Sequence, residues 1–369
     1  MVSLQKLGHL DGRIFVYIET SLHWRWIHDL GFLWSNHCCN MGYSIFLAYA
    51  GVILPTQVDT LIIKKVQFES IMRAIALNLL LLIFLVPFSG CTSPALQEDE
   101  SEPCSGLDNN PKLFPRVTEY CVTQEVEGEL INRRFLIQAP SVVNESASYP
   151  LLFVLGGMPD EFVGQFRDMA DAGEFVGVYP EGLERSWNLG REASNANDTE
   201  FLEMVADSLL QLDNLDHKRR YIIGYSNGAG MAHTLGKESN YFSAFVAVIT
   251  SLTTENIPNN DSGNPSVMQI LGAEDEEVPY EGGEGVMGHV FLSGDESARV
   301  WAEHNQCGLN GENTTLSDGS IRTMYSGCIN EGRVVNYKVA NSGHGIDRNF
   351  EGGLNSLMWD FLSSTPVEY

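Results

Sequence analysis

Ser226 lies in the pentapeptide Gly224-Tyr225-Ser226-Asn227-Gly228, after the apolar run Tyr221-Ile222-Ile223 and before a helix-forming segment that starts at Ala229. A serine on a strand-to-helix turn has its hydroxyl lifted clear of the sheet, and small residues two positions to either side let strand and helix backbones approach. Such a serine is placed to be a nucleophile. Its hydroxyl needs a base, and an imidazole base needs a carboxylate to hold its tautomer. Both types follow in the chain. The apolar run 266–272 leads into Ala273-Glu274-Asp275-Glu276-Glu277, and the alternating run 333–339 leads into Gly343-His344-Gly345. Asp275 is the favoured carboxylate among four neighbouring acidic residues, and His344 is the base. Each candidate falls just past a strand, at the edge where ligand loops of open α/β sheets gather. The chemistry open to this set is acyl transfer through a covalent serine intermediate.

That chemistry also needs N–H groups aimed at a developing oxyanion. One belongs to Asn227, the residue after the serine. The second is expected from Gly157 or Met158, which follow the apolar strand 150–155. Glycines there let the backbone come close to a substrate.

The elements that must hold these residues alternate from residue 133 onward. Strands are expected at 134–139, 151–155, 175–179, 220–224, 244–249, 267–271 and 334–339. Helices are expected at 161–172, 200–212, 228–237, 294–305 and 354–362. In the second helix Phe201, Leu202, Val205, Leu209 and Leu212 share one face. This order predicts a mostly parallel central sheet with helices on both faces, in a single domain spanning 131–369.

The start of the chain reads differently. Residues 72–90 pair Arg73 with a short apolar stretch and end at Phe88-Ser89-Gly90-Cys91, the pattern of a lipoprotein-type signal peptide with Cys91 as the lipidated residue. The apolar stretch is short for a membrane-spanning helix. Residues 1–71 are then expected to be a non-native extension without assigned function, and 91–130 an acidic tether and N-terminal segment. The implied location is the bacterial cell envelope or outside the cell, with membrane contact only through the lipid.

The net charge is −26 over 369 residues, and residues 1–90 are nearly neutral, so the excess lies in 91–369. This argues against nucleic acid as a partner, because phosphate binding needs clustered Lys and Arg. Of seven cysteines, Cys104, Cys121, Cys307 and Cys328 remain after the signal and the extension are set aside. An even set in an exported chain predicts two disulfides, with the local pairing Cys104–Cys121 and Cys307–Cys328 favoured among three connectivities. No Cys/His spacing suits zinc, so no metal or other cofactor is expected.

The chain resembles the α/β-hydrolase esterase family of polyhydroxybutyrate depolymerases, feruloyl esterases and acetylxylan esterases. The likeness rests on Val178-Tyr179-Pro180-Glu181-Gly182 with Ser186-Trp187-Asn188, on the Ser226 pentapeptide with Met231-Ala232-His233, and on Val278-Pro279-Tyr280-Glu281-Gly282-Gly283 after Asp275. Trp301-Ala302, Asn305, Cys307 and Gly343-His344 extend it. It implies the α/β-hydrolase fold and a serine esterase with a Ser226–His344–Asp275 triad, acting on hydroxyalkanoate oligomers or on acyl groups of plant polysaccharides. Trp187 and Asn188 are candidate substrate-binding residues. The chain departs from the family at Leu155, where a histidine is usual, and in a shortened glycine loop after it. A second expectation follows from that departure: a binding lipoprotein that keeps the hydrolase shell with impaired catalysis.

Overall fold

The computed structural model describes residues 7–10, 13–16, 106–107, 112–260 and 262–367. In the first of two compact units, residues 1–94, strands β1 (Leu7–Leu10) and β2 (Arg13–Val16) pair antiparallel. The signal peptide expected at 72–90, Cys91 and Cys104 lie outside the described residues. No helix among the described residues is long and apolar enough to cross a membrane.

The second unit is built on one ten-stranded sheet. Its strands are β3 (Arg116–Val126), β4 (Glu129–Ala139), β5 (Tyr149–Leu155), β6 (Val176–Pro180), β7 (Leu215–Tyr225), β8 (Ala244–Val248), β9 (Ser266–Gly272), β12 (Glu312–Thr315), β13 (Ile321–Tyr325) and β14 (Val334–Val339). The two-residue strands β10 (Gly283–Glu284) and β11 (Val290–Phe291) pair with each other. The sheet order is β12-β13-β14-β9-β8-β7-β5-β6-β4-β3. The run from β14 to β6 is parallel, and an antiparallel pair closes each margin.

The helices are α1 (Pro159–Gln165), α2 (Arg167–Asp171), α3 (Asp198–Ser208), α4 (Asn227–Glu238), α5 (Gly294–His304) and α6 (Leu354–Ser363). Period-two alternation along the buried strands sorts the core into two layers. Leu151, Phe153 and Leu155 of β5 face the layer that holds Phe201 of α3, Met231 of α4 and Trp301 of α5. Leu152 and Val154 face the opposite layer, with Val163 of α1 and Met358 and Trp359 of α6. Both faces of the sheet are therefore covered, as the alternation of elements predicts.

The sheet also reaches beyond what the sequence pattern shows. It begins at Arg116, ahead of residue 131 where the domain was expected to start. β3 pairs with β4 along its whole length, Arg116 with Ala139 through Val126 with Glu129. Glu127 and Gly128 both take positive φ (53° and 87°), the geometry of a two-residue hairpin turn. At the other margin β12 and β13 lengthen the sheet past β14. The disulfide Cys307–Cys328 brackets this hairpin, as the local pairing predicts. Cys121 is also disulfide-bonded.

Two buried polar clusters tie the loops to this frame. Arg133 of β4 donates to Asp198 Oδ1 at 2.8 Å and to Gln124 Oε1 at 2.9 Å, and its guanidinium lies 3.9 Å from the Phe201 ring centre. Asp198 Oδ2 in turn accepts the Asn188 backbone N–H at 2.7 Å. His233 of α4 accepts from Trp301 Nε1 at 3.0 Å, and its other ring nitrogen faces the Thr250 carbonyl at 3.3 Å. Burial lowers the His233 pKa to about 4, against a weaker opposing pull from the Thr250 carbonyl.

Two outcomes follow. Arg133→Ala leaves the Asp198 carboxylate buried without its cation and should lower unfolding free energy by about 3–5 kcal/mol, whereas Lys112→Ala, which breaks an exposed pair with Glu145, should cost under about 1 kcal/mol. Denaturant titration checks both. His233 is neutral in the fold, while an unfolded chain binds its proton below pH 6.5. Its contribution is therefore complete above that pH and is lost as pH falls towards about 4. The thermal midpoint should drop across this window, and more shallowly in His233→Gln.

Candidate active site

The strand β7 ends at Tyr225 and α4 begins at Asn227, so Ser226 makes the whole turn between them. It does so at φ 51° and ψ −119°, a costly conformation for a residue with a Cβ. The surroundings hold it there. Ser226 N–H donates to the Val248 carbonyl at 3.0 Å, and its carbonyl accepts from Ala229, from Gly230 and from Thr250 Oγ1. The flanking glycines are sterically required. A Cβ on Gly224 would lie 2.2 Å from the Gly228 carbonyl oxygen, and one on Gly228 would lie 2.2 Å from that of Leu155.

The carboxylate and the imidazole arrive on neighbouring parallel strands, β9 and β14. Their loops are laced by backbone bonds: Ala273 N–H to the Val339 carbonyl and Glu274 N–H to that of Ser342, both at 2.9 Å. Gly272 lets the two loops touch, since a Cβ there would meet the Gly343 oxygen at 2.2 Å. In this setting Ser226 Oγ lies 2.8 Å from His344 Nε2, and His344 Nδ1 lies 2.8 Å from Asp275 Oδ2. Asp275 Oδ1 accepts from the backbone N–H groups of Glu277 and Val278, each at 2.9 Å. Among the four acidic candidates only Asp275 is buried; Glu274, Glu276 and Glu277 are exposed. The Glu277 carboxylate, 59 % exposed, stands 3.9 Å from His344 Nε2.

Asn227 is the first residue of α4, so its N–H has no intrahelical acceptor. Gly156, Gly157 and Met158 form the short link between β5 and α1, with Gly157 exposed and Met158 half-buried. Leu155, where the family's histidine is expected, is fully buried and presents its carbonyl to Gly228. The link and the nucleophile turn are thus in contact through backbone.

Trp187 is placed otherwise than a substrate platform requires, and Asn188 orients the loop beside it. Trp187 is 0 % exposed and stacks on Phe201 with ring centres 6.4 Å apart. A ring sealed in the core cannot serve as a platform for a substrate. Its backbone does the work instead: Asn227 Oδ1 accepts from Trp187 N–H at 2.7 Å, and Asn227 Nδ2 donates to the Trp187 carbonyl at 2.9 Å. Asn188 spends its side chain locally, donating to the Ala196 carbonyl at 3.0 Å and accepting from Gly190 N–H at 3.0 Å. Both residues hold the loop after β6. The motif located that loop correctly, but residue type alone does not tell a ligand platform from a core anchor.

Glu192 and His289 were not marked by the sequence. They meet beside Asn227 from two loops, at 3.1 Å. Neither sits in a periodic segment or a recognisable motif, so no local signal points to them. Among the described residues no group of three or more His, Cys, Asp or Glu side chains could hold a metal ion.

The nucleophile turn and the chain order serine, aspartate, histidine on a covered parallel sheet are those of the α/β-hydrolase fold. No protein-family model matches the chain. It is 25% identical over 188 residues to feruloyl esterase B of Piromyces equi, a match covering 49% of this chain and 34% of that protein. The chain therefore spans about a third of that relative's length. It is 25% identical over 229 residues to feruloyl esterase C of Emericella nidulans, covering 58% and 78%. Among solved structures, an acetyl xylan esterase from Aspergillus awamori superposes over 67% of this chain and 99% of its own, with a TM-score of 0.47 and 10% identity.

Gly272→Ala should drive the His344 loop off the carboxylate loop. The rate of labelling at Ser226 by a fluorophosphonate is expected to fall at least about a hundredfold with the circular dichroism spectrum unchanged. Labelling at the wild-type rate would show that the loop has another way to seat.

Proposed function

We propose that this α/β-hydrolase, related in sequence to the feruloyl esterases, is a serine carboxylic ester hydrolase. The observation that carries the reading is the unbroken line Ser226 Oγ, His344 Nε2, His344 Nδ1, Asp275 Oδ2, with both links at 2.8 Å.

Ser226 Oγ attacks the ester carbonyl carbon while His344 Nε2 takes its proton. Asp275 keeps the ring's other proton on Nδ1 and stabilises the imidazolium that forms; its second oxygen is occupied by two backbone donors, which fixes the carboxylate. The carbonyl oxygen becomes an oxyanion and is received by the Asn227 N–H and by that of Gly157 or Met158. Collapse of this intermediate expels the alcohol, which takes the proton from Nε2. Water then enters, gives its proton to His344, and attacks the acyl-serine. The acid is released and the hydroxyl of Ser226 restored.

The substrate class proposed is an ester of an aromatic or short acyl group on a plant polysaccharide, with hydroxyalkanoate oligomers as the other candidate. The names of the sequence relatives favour the first. The loop between β10 and β11 also supports an apolar acyl group. Val286 donates its N–H to the Glu277 backbone carbonyl at 2.8 Å, which joins the segment carrying the exposed Val286 and Met287 to the loop whose Glu277 carboxylate lies 3.9 Å from His344 Nε2. Export with attachment through Cys91 completes the proposal, and the Cys307–Cys328 disulfide suits an oxidising compartment.

Methyl ferulate, p-nitrophenyl acetate, acetylated xylan and hydroxybutyrate oligomers should separate the classes. The wild type is expected to cleave at least one, and Ser226→Ala to lose at least about a thousandfold in turnover while keeping its thermal midpoint. Undiminished turnover in that variant would remove Ser226 from the reaction, and inertness of the wild type towards all four would end the esterase reading.

A further inference from the structure

The loop after β6 and the loop between β10 and β11 meet at a pair of titratable side chains outside the triad. His289 Nε2 donates to Glu192 Oε1 at 3.1 Å, with the two side chains only 5 % and 2 % exposed. Glu192 Oε2 accepts the backbone N–H groups of Leu189 at 2.6 Å and Arg191 at 3.1 Å. Asn227 Nδ2 reaches Glu192 Oε1 at 3.4 Å. Four donors thus converge on one buried carboxylate. Burial by itself raises the Glu192 pKa, but the Leu189 and Arg191 N–H groups and His289 outweigh it and hold the group below its ordinary value. The carboxylate is charged and fully engaged.

Its neighbour Asn227 is gripped from both ends. Asn227 Oδ1 accepts from Trp187 N–H and, at 3.4 Å, from Ser186 Oγ; Nδ2 donates to the Trp187 carbonyl and to Glu192. A helix's first residue needs none of these bonds to be helical. They anchor the side chain of the residue whose N–H directly follows Ser226. The loop carrying His289 is fastened on its other side to the acid loop, through Val286 N–H and the Glu277 carbonyl.

We propose that Glu192 and His289 are positioning residues for the oxyanion hole: acting through the Asn227 side chain, they hold the Asn227 N–H on the developing negative oxygen. The inference rests on the hydrolase reading above. Their contribution is then made in the transition state, because an oxyanion donor is worth most where charge appears. Glutamine cannot replace Glu192, since its amide nitrogen would have to face a donor. Glutamine can replace His289, because it retains an N–H to offer.

The test is steady-state kinetics of the full chain on p-nitrophenyl acetate, with fluorophosphonate labelling and thermal midpoints measured in parallel. Glu192→Gln should lower kcat about tenfold with KM within about twofold, a displaced donor costing less than the hundredfold or more of a lost one. In an Asn227→Ala background, which keeps the backbone N–H, the same substitution should cost under about twofold, because the link it acts through is already gone. His289→Phe should match the tenfold loss and His289→Gln should restore turnover. Equal losses from Glu192→Gln in both backgrounds, or an unchanged kcat, would overturn the proposal; if Glu192→Gln fails to fold, the Phe and Gln pair at His289 decides it. A wild type that neither hydrolyses nor labels would instead remove the hydrolase reading itself, and this inference with it.

Discussion

The site depends on one strained residue. Ser226 has no choice but to turn the chain at positive φ, because β7 must end under its own helix for the hydroxyl to stand at the sheet's edge. Such strain persists only where neighbours over-determine it. Here they do so with backbone and one threonine hydroxyl. Val248 of the adjacent strand takes the Ser226 N–H, Thr250 caps its carbonyl, and Leu155 presses on Gly228 from the other side. Close backbone approach is what makes the turn affordable, and it recurs where Gly272 admits the histidine loop. Ser226, His344 and Asp275 meet because glycine sits at the points where one main chain passes another.

A second theme is the way a strongly acidic chain uses its few buried charges. Arg133 and Asp198 neutralise each other inside the core and join the antiparallel strand β4 to the start of α3. Asp198 then passes that rigidity to Asn188, and so to the loop that holds Trp187 against Asn227. Glu192 and His289 repeat the device from the other side. In both pairs the carboxylate also accepts backbone N–H groups, which offsets the cost of burying charge. The loop after β6 is therefore ordered by these polar contacts together with the buried Trp187 ring. On α4, by contrast, burial keeps His233 neutral, with Trp301 and the Thr250 carbonyl holding its ring nitrogens.

What the chain's local pattern determined was the alternating sheet-and-helix order from β4 to α6 apart from the strands β10 to β13, the turn at Ser226, and the order in which Asp275 and His344 follow it. These have strong local signatures: apolar strands buried on both faces, helices with one apolar side, glycines at fixed offsets from a serine. It did not reveal β3, because an edge strand buried on one side carries charged residues on the other and resembles a polar tether. It favoured Asp275 among four adjacent carboxylates, but burial and the meeting with two N–H groups and an imidazole are set by the fold. It marked Trp187 but not its direction, inward to Phe201. Glu192 and His289 were silent, because a pair 97 residues apart leaves no trace in periodicity or spacing. Sequence fixes contacts between near neighbours along the chain, whereas burial and pairing across loops exist only once the sheet has brought distant segments together.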